Sequence, residues 1–171
     1  MVVSNSTPLI YLARAGGLPL LERLFHQIQI PEEVKLECID RGKLKGYSDA
    51  YLLEKALHDK LLIVHDLPVK DIKLVNEITE IFGIDIGEAQ ALVLAKRKGE
   101  KEILVDQSHA REAAKRLGLN PRGTIYIVVA SIKRGLISKS EGRRLLDLIV
   151  EANFHINVRI YRRVLENMER L

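Results

Sequence analysis

The stretch IDIGEAQALVLAKRKGEKEILVDQSHAR, residues 84–111, decides the fold: it reads as a helix followed by a buried strand. Ala89, Ala91, Leu92, Val93, Leu94 and Ala95 make a dense apolar run. Lys96, Arg97, Lys98 and Gly99 close it as a cationic last turn followed by a terminator. A helix so apolar must be largely buried. Ile103, Leu104 and Val105 then form a short continuous apolar run, the pattern of a strand covered on both faces, as in a parallel sheet. Ligands of such sheets gather outside the carboxyl ends of the strands, where Asp106 is expected. Glu88 opens the helix.

The same alternation recurs along the chain. Val2 and Val3 open a short strand ending at Ser4 and Asn5, and Thr7-Pro8 reads as a helix start. Leu18 to Phe25 is a second amphipathic helix, and residues 28–30 are a strand. Pro31-Glu32-Glu33 starts a helix that carries Glu37 and Cys38 before Gly42. Ser48-Asp49 caps another, residues 61–64 are a third buried strand, and residues 69–82 are helical until Gly83. Residues 107–117 are a helix, residues 120–123 a turn, and Thr124 begins a mostly apolar helix. Strand and helix alternating four times predict an α/β fold with a parallel sheet and right-handed connections. From Ser138 the pattern is helical only, with a Ser138-x-x-Glu141 capping box and Asn157 as a cap for the last helix. The expected organisation is one domain over residues 1–137 and a helical extension, residues 138–171, packed on it.

Composition narrows the function classes. With 171 residues and 47% hydrophobic residues the chain can bury a full core. No apolar run approaches a membrane span and the N-terminus has no cleavage signature, so a cytoplasmic protein is expected. The single Cys38 forms no internal disulfide and reads as a small buried hydrophobe. The 27 Lys+Arg and 23 Asp+Glu give a net charge of +4, which permits a polyanionic partner and resembles the ion-pair-rich composition of thermophile proteins. Aromatics at 5% argue against a base-stacking platform. Neither G-x-G-x-x-G, G-x-x-x-x-G-K-[ST] nor G-x-S-x-G occurs, so these loops supply no nucleotide site and no nucleophile.

Asn5 after the first strand, Glu88 at the helix start and Asp106 after a later strand project towards one edge, with Glu37 on the helix after the second strand. Oxygen ligands from separate elements suit Mg²⁺ or Mn²⁺, hard cations that favour carboxylates and water. Each residue has a structural reading too. Asp85 and Glu88 form a capping-box pattern, Asp106 can cap the helix after it, Glu37 can pair with Arg41, and Asn5 can be a turn residue. His109 and Arg111 read as an exposed helix face.

VVSNSTPLIYLARAG (residues 2–16), IPEEVKLECI (30–39), GEAQALVLAKRKG (87–99), ILVDQSHAR (103–111) and LGLNPRGTIYIVVASIKRGLI (117–137) resemble the PIN-domain superfamily, in its archaeal and bacterial branch. The resemblance implies a three-layer α/β/α sandwich and a metal-dependent ribonuclease site, often in the toxin of a toxin–antitoxin pair with a protein antitoxin, and often a homodimer. The family's acids fall on Asn5, Glu37, Glu88 and Asp106, so the expected metal set is Asn5, Glu37, Glu88 and Asp106, the last three catalytic. Lys96, Arg97, Arg111, Lys115 and Arg116 are the cations expected to steer an RNA backbone. Asn5 stands where many relatives have Asp, and Gln107 where a further Asp often follows. Both changes remove charge, which opens an alternative: a weakened module that binds a protein partner or RNA without cleaving it.

Overall fold

Five short strands pair all-parallel in the order β3-β2-β1-β4-β5 in the computed structural model, which describes residues 1–171. They are β1 (Val2–Ser4), β2 (Ile28–Pro31), β3 (Leu62–His65), β4 (Glu102–Leu104) and β5 (Asn120–Arg122). The order reverses at β1, which pairs with β2 on one side and β4 on the other. Alternate side chains feed two cores. Val2, Ile28, Ile30 and Leu104 face one, Val3, Ile103 and Val105 the other. Helices on both faces make this the expected three-layer α/β/α sandwich.

The first core lies under α1 (Ser6–Arg14), α2 (Leu18–Phe25), α5 (Ser48–His58) and α9 (Thr124–Lys133). Leu146 and Ile149 of α10 (Lys139–Glu151) and Val164 and Met168 of α11 (Val158–Glu169) join it. The second lies under α6 (Ile72–Phe82), α7 (Ile86–Arg97) and α8 (Ser108–Arg116). Helix α7 carries the apolar run Ala89–Ala95, and its apolar side chains are buried nearly all round because it packs on the sheet, α6 and α8. Gly99 ends the turn after it at φ 67°, a left-handed conformation that glycine adopts without Cβ strain.

Several boundaries differ from the sequence reading. Residues 120–122 are an edge strand and not a turn: Val105 N donates to Arg122 O at 2.7 Å. Pro121 lacks an N–H, which an edge strand tolerates. The third strand is the opposite edge, and only Leu62 in it is fully buried. The helix after β2 is broken into α3 (Glu32–Lys35), a π turn (Leu36–Asp40) and α4 (Arg41–Leu44). A 3₁₀ turn, Val69–Asp71, precedes α6. Helix α1 starts at Ser6, before the Thr7-Pro8 pair, with Asn5 in the cap position. Asp49 does not cap α5 and instead accepts from Arg14 Nε at 3.0 Å. The capping box at Ser138 and the Asn157 cap form as the sequence implies. No helix is long and apolar enough to cross a membrane.

Candidate active site

The reversal of strand order at β1 opens a crevice outside the carboxyl ends of β1 and β4, where a parallel sheet receives ligands. Asn5 follows β1 directly and its N–H donates to Leu104 O at 3.1 Å, locking it to the end of β4. Asp106 lies two residues past β4. Glu88 arrives from the start of α7 and Glu37 from the π turn.

Asn5 is 1% exposed. Its amide makes no cap bond to α1. Its Nδ2 is turned to Glu88 Oε1, 3.5 Å away, and its Oδ1 is buried without a partner. A buried, unsatisfied amide oxygen costs about 1–3 kcal/mol, so the site holds an acceptor waiting for a donor or a cation. Glu88 completes the capping box, accepting from Asp85 N at 3.3 Å while its own N–H donates to Asp85 Oδ1 at 2.7 Å. Burial pushes the Glu88 carboxyl up to about 7, and the charges of Asp85 and Glu37 push the same way.

Glu37 is half-buried, and desolvation raises its carboxyl above the usual range while the Ser6 hydroxyl pulls it down. Arg41 is not its partner, since that guanidinium pairs with Glu33 Oε1 at 3.0 Å. Gly87 lets Glu37 in: a Cβ there would stand 3.3 Å from Glu37 Oε2 and 3.4 Å from Asp85 Oδ1. Asp106 does not cap the helix after it, because Gln107 occupies that position. It reaches the start of α9 instead, where Oδ1 accepts from Thr124 N at 2.8 Å and Oδ2 from Thr124 Oγ1 at 2.6 Å. Burial raises its carboxyl too, against the pull of those two bonds and of Arg111.

All three catalytic candidates are thus carboxyls held above their usual range chiefly by desolvation. A cation placed beside such groups favours their ionised form. The donors are oxygen alone, which fits a hard divalent ion. No three acidic, histidine or cysteine side chains stand close enough together to hold a metal ion as they are placed. Thr124 engages both oxygens of Asp106, and Asp85 and Asn5 engage Glu88.

The five cations named from the sequence divide. Arg111 lies beside Asp106, its Nη1 donating to Val105 O at 3.0 Å. Lys96 and Arg97 end α7, about 12 Å along the helix axis from Glu88, and Arg97 pairs with Asp71 at 2.9 Å. Lys115 and Arg116 end α8, about 10 Å or more from its start beside Asp106, and Arg116 pairs with Glu112 at 3.2 Å. A groove beside Glu37 gathers three further cations, Arg14, Arg41 and Lys45, the first two paired with Asp49 and Glu33. They come from α1, from α4 and from the residue that caps its end, away from the Lys/Arg run at the end of α7. Thr124, Gly87 and Ser6 were equally missed as site residues. The stretch Asn120-Pro121-Arg122-Gly123-Thr124 did mark a helix start, but nothing local says that its first N–H meets a carboxylate.

A PIN-domain family model matches residues 1–170. The chain belongs to the PIN-domain family. No curated protein and no solved structure matches it. The PIN domain is a nuclease-type fold generally served by divalent metals, and the matched region includes the last two helices of this PIN domain.

Proposed function

We propose that this PIN domain is a Mg²⁺- or Mn²⁺-dependent ribonuclease that hydrolyses phosphodiester bonds in RNA. The observation that carries the reading is the set of desolvated carboxyls at the switch point, together with the orphaned Asn5 Oδ1 beside Glu88. Glu37, Glu88 and Asp106 would hold the cation, with Asn5 as a neutral oxygen ligand. When bound, such an ion supplies Lewis acidity towards a water nucleophile and the scissile phosphate. The chain's own contribution is to orient these oxygens, to keep them dry and to bring Arg14, Arg41 and Lys45 against the phosphate backbone.

A second reading, a weakened module that binds RNA or a protein partner without cutting, is favoured by one observation: the acids do not form a ready cluster, and Asn5 carries no charge to draw them together. Roles as a toxin with a protein antitoxin, and as a homodimer, rest on the resemblance and are tested by co-purification and sedimentation. Labelled RNA incubated with Mn²⁺ separates the two main readings. Cleavage that EDTA and Asp106→Asn both abolish supports the nuclease; cleavage surviving either control sinks it. If the wild type does not cut but Asn5→Asp does, the weakened module is the correct reading.

A further inference from the structure

The cleft that holds Glu37 and Asp106 has a second wall that the carboxylates do not use. Phe154 and His155, from the turn between α10 and α11, line it together with Tyr11 and Arg14 of α1, around a space of about 430 Å³. That volume lies within the roughly 300–1,000 Å³ typical of ligand sites. The wall is a fixed construction. Tyr11 Oη donates to Asn153 O at 3.2 Å, and the Tyr11 and Phe154 rings meet edge to face at 88° with centroids 4.9 Å apart. Asn153 turns the chain with φ 69°, which aims the next two residues at the cleft. Arg14 lies 6.0 Å from the Tyr11 ring centroid and is tethered by Asp49. His155 is exposed and Phe154 half-buried, so the wall offers ring surface to solvent.

We propose that Tyr11, Phe154 and His155 form a nucleobase subsite that takes one unpaired base of a single-stranded RNA beside the proposed cleavage site. The inference rests on the ribonuclease reading and deepens it. A base stacks on an aromatic face whatever its identity, and only an unpaired base can be splayed into such a slot. The cations Arg14, Arg41 and Lys45 of the groove that shares Arg14 and Glu37 with this cleft then meet the adjoining backbone. The low aromatic content excludes an extended stacking platform, yet a slot for one base needs only the few rings gathered here. The subsite also gives residues 138–171 a part in substrate binding, since Phe154 and His155 come from that segment.

The test is fluorescence anisotropy of a labelled single-stranded oligoribonucleotide on the full chain, in Ca²⁺ and in EDTA, beside a duplex of the same sequence. Phe154→Ala and Phe154→Leu are expected to weaken single-strand binding about ten-fold, Phe154→Trp to restore it, and the duplex to gain nothing from the ring. Melting curves of each variant verify folding, and Phe154→Leu preserves most of the packing against Tyr11. Single-strand affinity unchanged in Phe154→Leu, equal loss on the duplex, or no single-strand binding by the wild type would overturn the subsite. Mn²⁺ calorimetry on the same samples separates the two levels. Retained Mn²⁺ binding with no effect of Phe154 removes the subsite alone, whereas a ring-dependent single-strand affinity without Mn²⁺ binding removes only the nuclease reading.

Discussion

Glu88 is the residue on which pH acts most directly, because burial holds its carboxyl at about 7 against an ordinary 4.5. Below 4.5 both folded and unfolded chains carry its proton, and the stability it contributes is fully present. As pH rises from 4.5 to 7 the unfolded chain ionises first, so that stability is lost, an effect on the order of 3 kcal/mol. Thermal melting in EDTA should therefore show a midpoint falling across this window, and Glu88→Gln should flatten the fall. A midpoint that climbs through the window, with the same slope in Glu88→Gln, would contradict the assignment. Glu37 and Asp106 shift in the same direction, so added Mn²⁺ should raise the midpoint more at pH 8 than at pH 5. Thr124 supports Asp106 with two bonds, and Thr124→Val removes one of them from a partly buried carboxyl. A loss of about 1–3 kcal/mol in urea denaturation is expected, with Thr124→Ser close to wild type. Gly123→Ala should be no milder than Thr124→Val, since its Cβ would stand 2.5 Å from Asp106 Oδ1. The positions of Asn5, Glu88 and Asp106 at the ends of elements were legible, as their own neighbours define those elements. Thr124 was not, because its partner lies 18 residues away and no periodicity links them.

Elements were legible where their pattern was long and illegible where it was short. Helix α7 was readable because its cap, apolar run, cationic turn and terminal Gly99 all agree. Strand β5 was not, since Asn120-Pro121-Arg122 has turn composition and is a strand only through its bonds to β4. The π turn at Leu36–Asp40 was invisible for a related reason: Leu-Glu-Cys-Ile-Asp carries no Gly or Pro to mark a break, and the turn packs on α5 from another part of the chain. That turn is what carries Glu37. A prediction follows for the close approach of α10 to α9. Gly142 faces Ile132 so tightly that any Cβ would clash with that side chain. Gly142→Val should lower stability by about 1–3 kcal/mol in denaturant titration. An unchanged midpoint would mean that α10 does not dock there.

For the whole molecule, the last two helices complete a core that residues 1–137 leave open. Leu146, Ile149, Val164 and Met168 are buried in the same cluster as Leu12 and Ile127. A chain ending at residue 137 is expected to bind a hydrophobic dye and to lose cooperative melting; a sharply melting, dye-free product would show residues 138–171 to be a dispensable addition. The α/β class, the helix α7 and the residues flanking β1 and β4 follow from local patterns, because hydrophobic period and capping chemistry act over a few neighbouring residues. Which side of the sheet each strand joins, which cations stand near the acids, and the holding of Asp106 by Thr124 and of Asn5 by Glu88 are settled by the folded chain. Those are contacts between residues far apart in the chain, and they follow from the strand order and the depth of burial, which no local pattern of side chains specifies.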